Sequence, residues 1–175
     1  IVVPSKIGEI PVVAIGDYAF YHCRSLTKVT IPDGVTTIGK YAFNDCSSLI
    51  EVDLGDNVQN IGDYAFSSCD SLKSITIPEG VTTIGNSVFS YCDSLESVII
   101  PSTVRNIGNS AFYSCDCLRS ITLPSKLETI GDSAFYYCQK LESIKIPDSV
   151  KSIGSSAFNS CYSLYSVTLP IMLET

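Results

Sequence analysis

The dipeptide Ile-Gly returns at a fixed step of 23 residues, at Ile15, Ile38, Ile61, Ile84, Ile107, Ile130 and Ile153. A unit that short cannot enclose an apolar core by itself. It can bury one only by stacking on copies of itself, so a fixed period of this length points to a solenoid in which each coil touches only its neighbours. Other columns keep the same phase. All seven phenylalanines fall in one (Phe20, Phe43, Phe66, Phe89, Phe112, Phe135, Phe158), and seven of the eight cysteines in another (Cys23, Cys46, Cys69, Cys92, Cys115, Cys138, Cys161). Leucines follow from Leu26 to Leu164, and no insertion or deletion breaks the phase between Pro32 and Pro170.

Within a unit, Ile75 and Ile77 alternate with polar neighbours, the pattern of a half-buried strand. The proline after it, Pro78 here, has no N–H and ends the ladder; it recurs at Pro32, Pro101, Pro124, Pro147 and Pro170, with Gly55 the one substitute. Ile84, Val88 and Cys92 are then spaced as one face of a short helix. Six of the seven residues two places after each Ile (Asp17, Lys40, Asp63, Asn86, Asn109, Asp132, Ser155) suit an N-cap. The expected fold is therefore an α/β solenoid of about seven coils, each a strand plus a short helix. Its strands form a single parallel sheet with a spacing of about 4.8 Å. Residues 1–175 form one domain, and residues 1–22 an atypical first coil. There Val12 comes eight residues after Pro4 where other coils need three, leaving five extra residues within Ser5–Pro11. Pro170-Ile-Met-Leu173 begins a further unit, so the chain is expected to be a piece of a longer protein.

The chain is 45% hydrophobic, enough for a continuous core, and carries a net charge of −7. An acidic surface repels phosphate backbones and anionic lipid, which argues against nucleic acid and bare membrane as partners. No run approaches 18 apolar residues, so direct membrane insertion is not expected.

Catalytic and metal chemistry find little footing. In-phase cysteines point the same way into the core, with parallel Cβ vectors that disfavour bridging, and a linear ladder does not converge on a metal. They read as buried, reduced thiols acting as small hydrophobes. Cys117 lies outside the column. His22 is the only histidine and adjoins Cys23, which a nucleophile pair would need to face rather than adjoin. The carboxylates are scattered, and the glycines are spread through the repeats rather than clustered around a phosphate. No enzyme activity, cofactor or metal is expected.

The solvent-facing strand positions are more informative. Most are Ser or Thr, as at Ser74, Thr76, Ser97, Ser120, Thr122, Ser166 and Thr168. Lys28, Glu51, Asp53, Ile99 and Lys145 depart from that background and are the candidate ligand-binding residues. One position earlier, Lys73, Glu96, Arg119 and Glu142 alternate in sign, which suits pairing between neighbouring coils. Tyr18, Tyr41 and Tyr64 form one aromatic column, and Tyr113 and Tyr136 another.

The segment IPEGVTTIGNSVFSYCDSLESVIIP, Ile77 to Pro101, resembles the leucine-rich repeat of the BspA-like, or Treponema pallidum-type, surface-protein family. The likeness extends over essentially the whole chain, including IPVVAIGDYAF in the first coil. It implies a leucine-rich-repeat solenoid from a cell-surface or secreted protein linked to adhesion, and it carries no shared catalytic residues. On that basis the chain is expected to be an adhesin-like interaction module. It would bind host or neighbouring-cell proteins, extracellular matrix among them, or glycans through the sheet face. The alternative is a structural spacer that carries other domains.

Overall fold

The computed structural model describes residues 1–169, and Pro170-Ile-Met-Leu173 lies outside them. The chain winds into seven stacked coils followed by the first strand of another turn. Counted from its front strand, the first coil is residues 1–27, and each later coil takes 23 residues from Lys28, Glu51, Ser74, Ser97, Ser120 and Ser143. The front strands Lys28–Thr30, Glu51–Asp53, Ser74–Thr76, Ser97–Ile99, Ser143–Lys145 and Ser166–Thr168 run parallel. Their register is offset by one repeat, as in Val29 opposite Val52 and Ile144 opposite Val167. The first coil joins through Val2 beside Thr30.

A second parallel sheet accompanies the anticipated one. Its two-residue strands are Ala14–Ile15, Thr37–Ile38, Asn60–Ile61, Thr83–Ile84, Asn106–Ile107, Thr129–Ile130 and Ser152–Ile153, again in register by one repeat. Each Ile of the Ile-Gly pairs ends one of these strands. The glycine that follows sits where neighbouring coils nearly touch: a Cβ on Gly131 would stand 2.6 Å from the Asn109 backbone nitrogen.

The expected short helix is absent among the described residues. Ile84, Val88 and Cys92 do share an inward face, but the segment is a run of turns. Bonds such as Cys92 N–H to Phe89 C=O alternate with bonds to the next coil, such as Phe89 N–H to Ala111 C=O and Tyr91 N–H to Tyr113 C=O. A helix satisfies its amides internally; this path spends half of them on joining coils. Turning alternate amides outward requires two left-handed residues per coil, here Ser87 (φ 53°) and Tyr91 (φ 59°), and the same two positions are left-handed in every other coil. The residues read as N-caps serve the stack as well. Asp17, Asp63, Asn86, Asn109 and Asp132 each accept, through Oδ1, the backbone N–H one repeat later, at 2.7–3.0 Å.

The core is the set of in-phase columns. Phe43, Phe66, Phe89, Phe112 and Phe135 are fully buried, and consecutive rings stack along the axis. Each column thiol from Cys46 onward donates to a Phe carbonyl of the preceding coil. Cys92 to Phe66 at 3.2 Å and Cys138 to Phe112 at 3.1 Å are examples. The thiols are therefore donors as well as apolar filler. Burial pushes Cys46 up to about 11 and raises Cys69, Cys92, Cys115, Cys138 and Cys161 as well. Cys23 departs from the expected column. It is exposed. Phe20 and Phe158, toward the two ends, are only partly buried.

The extra residues of the first coil form a small antiparallel hairpin, Lys6–Ile7 with Ile10–Pro11, turning on Gly8 at φ 63°. A second irregularity lies between the third and fourth coils. The second sheet divides there, between Asn60–Ile61 and Thr83–Ile84, and the front sheet keeps only Glu51 opposite Ser74. We attribute the seam to Val88, whose column otherwise holds alanine (Ala42, Ala65, Ala111, Ala134, Ala157): its added methyls wedge the core side, while Tyr64, Phe66 and Ser68 keep their backbone bonds to the next coil. Phe66 and Phe89 are 5.9 Å apart between ring centroids, against 5.2 Å for Phe43 and Phe66.

Candidate interaction surfaces

All five candidate residues are exposed on the front sheet. The strand register brings three of them together. Lys28 stands opposite Glu51 and pairs with it, Nζ to Oε1 at 2.7 Å, and Asp53 follows on the same strand opposite Thr30. Ile99, 62% exposed, is two coils further on, and Lys145 two more. At about 4.8 Å per coil those steps are each about 10 Å, so Ile99 and Lys145 stand apart from the charged patch.

Two hollows open on this face where the front ladder thins. One of about 290 Å³ is lined by Glu51, Asp53, Asp56, Ser74, Thr76 and Pro78. Another of about 520 Å³ lies between Ile121, Thr122 and Leu123 on one coil and Lys145, Pro147 and Asp148 on the next. Asp56 and Asp148 were not anticipated. They occupy the position after the proline column, which also holds Asp33 and Glu79 and gives the sheet an acidic rim. That column is visible in the sequence once the strand is known to end beside it.

Of the alternating column, only Arg119 and Glu142 form an ion pair among the described residues, at 3.3 Å. Pairing of Lys73 with Glu96, or Glu96 with Arg119, is not found. The other ion pairs also join neighbouring coils: Arg24 with Asp45, Lys40 with Asp63, and Glu128 with Lys151. The Arg24 hydrogen bond holds Asp45 below the usual carboxylate range. His22 Nδ1 lies 3.2 Å from the same Asp45 oxygen.

The tyrosine columns form as read. Tyr18–Tyr41 and Tyr41–Tyr64 stack at 5.0 and 4.7 Å, each within 4° of parallel, and Tyr113–Tyr136 at 4.9 Å. Tyr91 joins the second pair at a tilt. Burial raises the Tyr41 phenol, and Tyr64, Tyr18 and Asp63 add to the rise. Beside this column, Asp17, Lys40 and Asp63 line a groove of about 430 Å³ with Thr37, Gln59, Asn60, Thr82 and Thr83. Among the described residues, no three His, Cys, Asp or Glu side chains are grouped to hold a metal ion, and no helix is long and apolar enough to cross a membrane.

The family model for the BspA type leucine rich repeat region matches residues 13–135 and 82–175. The chain belongs to that family. A crystallised leucine-rich-repeat protein of T. pallidum is 37% identical, over 94% of this chain and 77% of its own, with a TM-score of 0.85. A leucine-rich-repeat protein of Bacteroides ovatus is also 37% identical, with a TM-score of 0.94. It matches over 99% of this chain, which spans 46% of that protein's length. A protein of Faecalibacterium prausnitzii, described as a leucine rich cell surface protein, is 29% identical over 97% of this chain and 69% of its own, with a TM-score of 0.51. No curated protein matches this BspA-type chain.

Proposed function

We propose that this BspA-type repeat is an adhesin-like interaction module of a cell-surface or secreted protein, binding protein or glycan ligands through its front sheet, without cofactor or metal. The observation that carries the reading is the division of labour on the front strands. Val29, Val52, Ile75, Val98, Ile121 and Ile144 are buried, while the residues on either side of each turn outward on a shared face. Substitutions on that face cost the core nothing, so specificity can vary while the coil is kept. The similarity to a protein described as a cell surface protein supports the setting.

The binding patch centres on Lys28, Glu51 and Asp53 beside the acidic hollow; Ile99 and Lys145 provide separate contacts further along. Glu51, Asp53, Asp56 and the neighbouring Asp33 and Glu79 outnumber Lys28, which favours a partner with a basic surface. A single module would bind modestly and gain strength through many copies. The test is binding to extracellular-matrix proteins and a glycan panel, beside a variant carrying Glu51→Ser, Asp53→Thr and Ile99→Thr. Loss in the variant supports the reading. Unchanged binding moves the site off this face. No binding even with the module displayed multivalently favours the spacer, to which the plain Ser and Thr rows at Ser74, Thr76, Ser120 and Thr122 are suited.

A further inference from the structure

We propose that the turn face of the first three coils is a second binding site, for an extended, uncharged, β-linked polysaccharide lying along the solenoid axis against Tyr18, Tyr41 and Tyr64. The site is independent of the front sheet, and either can fail without the other.

The coil backbone does not ask for tyrosine here. The equivalent residues of the next four coils are Ser87, Ser110, Ser133 and Ser156, in the same left-handed conformation at φ 53–57°, against 57–60° for the tyrosines. A bulky aromatic is an unfavourable choice for that region, so its use in three consecutive coils calls for a role that serine cannot fill. The three rings are parallel and nearly equally spaced. Tyr18 is 55% exposed and Tyr64 36%. Because the ring faces cover one another, the column offers solvent its edges and a row of phenolic hydroxyls, one per coil.

The groove coincides with these coils. Its acidic and basic wall, Asp17, Lys40 and Asp63, consists of the residues immediately before the three tyrosines, and it ends at Thr82, Thr83 and Gly85, just across the seam that Val88 opens. Its opposite wall, Thr37, Asn60 and Thr83, offers hydroxyls and an amide. Among the described residues the groove's one cation is matched, and so is the arginine outside it. Lys40 lies 3.6 Å from Asp63, and Arg24 holds Asp45 through Nε at 3.0 Å. Such a surface has many donors and acceptors, and its two carboxylates against one lysine disfavour an anionic polymer, so a neutral polyol suits it better.

The spacing selects the polymer. Contacts recur once per coil, about every 4.8 Å. An equatorially linked pyranose chain advances by close to that step, one sugar per coil, with consecutive sugars half a turn apart so that the same edge recurs at every second coil. An extended peptide advances about 3.3 Å per residue and falls out of step.

The experiment compares the unmodified chain with a Tyr18→Ser, Tyr41→Ser, Tyr64→Ser variant in pull-down on cellulose and chitin and in calorimetry with cellohexaose. Maltohexaose serves as the α-linked control. The serines copy the later coils, so the fold should persist. The expected result is cellohexaose binding that weakens at least tenfold in the triple variant. Binding should be unchanged by Glu51→Ser with Asp53→Thr and Ile99→Thr, and maltohexaose binding should be at least tenfold weaker. Tyr41→Phe keeps the stack and removes one hydroxyl, and should weaken binding severalfold. The proposal is overturned if the unmodified chain binds neither polymer, if maltohexaose binds equally, or if Tyr41→Phe and the triple variant both bind as the unmodified chain does.

Discussion

Val88→Ala should be far milder than a buried Val→Ala ordinarily is. Val88 is fully buried, and removing two carbons forfeits about 1.6 kcal/mol at about 0.8 kcal/mol per CH₂. A rigid core would add a cavity term and bring the loss to about 2.5 kcal/mol. Here the coils are free to close. Gly39, Gly62, Gly108, Gly131 and Gly154 each donate to the Ile carbonyl of the preceding coil; among the described residues, Gly85 lacks that bond to Ile61. Thr82 likewise lacks the bond to Gln59 that Gln59 makes to Thr36. Two recovered bonds, at about 0.5–1.5 kcal/mol each, offset most or all of the loss. The expected change is under about 1 kcal/mol in urea unfolding, with amide exchange at Thr82 and Gly85 slowed. The reciprocal Ala111→Val should cost about 1–3 kcal/mol by overpacking. A Val88→Ala loss above about 2 kcal/mol without new protection at Thr82 and Gly85 would refute the wedge.

Stability should fall steeply in alkali. Burial raises the column thiols, so the folded state holds protons that the unfolded chain releases. The stabilisation is complete below the ordinary thiol range and is lost as pH rises through the folded values, that of Cys46 lying near 11. Each thiol adds about 1.4 kcal/mol per pH unit to the slope while it stays protonated only in the fold; a flat profile from pH 9 to 11 would contradict this. Native thiol labelling should reach Cys23 first, then Cys117, and the remaining six only on unfolding; mass spectrometry of labelled peptides reads the order. Arg119 and Glu142 should couple by under about 1 kcal/mol in a double-mutant cycle, while Lys73 and Glu96 should be additive. Ser133→Gly should stabilise by about 0.5–1 kcal/mol in thermal unfolding, because serine is held there at φ 53°; Ser125→Gly, outside the left-handed set, should not.

Periodicity alone determined the coil length, the inward columns and the parallel stacking, because each requires only that like residues recur at one phase. Phe89, Cys92 and Leu95 are buried as their spacing demands, and Lys28, Glu51, Asp53, Ile99 and Lys145 lie on the face their alternation predicts. Which of those five meet was decided by the coil count between them, so only Lys28, Glu51 and Asp53 share a patch. The short helix was misread because a run of turns places Ile84, Val88 and Cys92 inward at the same spacing a helix would. Inward spacing does not reveal where the amides point. Here alternate amides point to the next coil, and the Asx residues that resemble caps accept from that coil too. The seam between the third and fourth coils was decided the same way: a stacked coil is completed by its neighbour, so the hydrogen bonding of each column depends on the distance to the coil beside it.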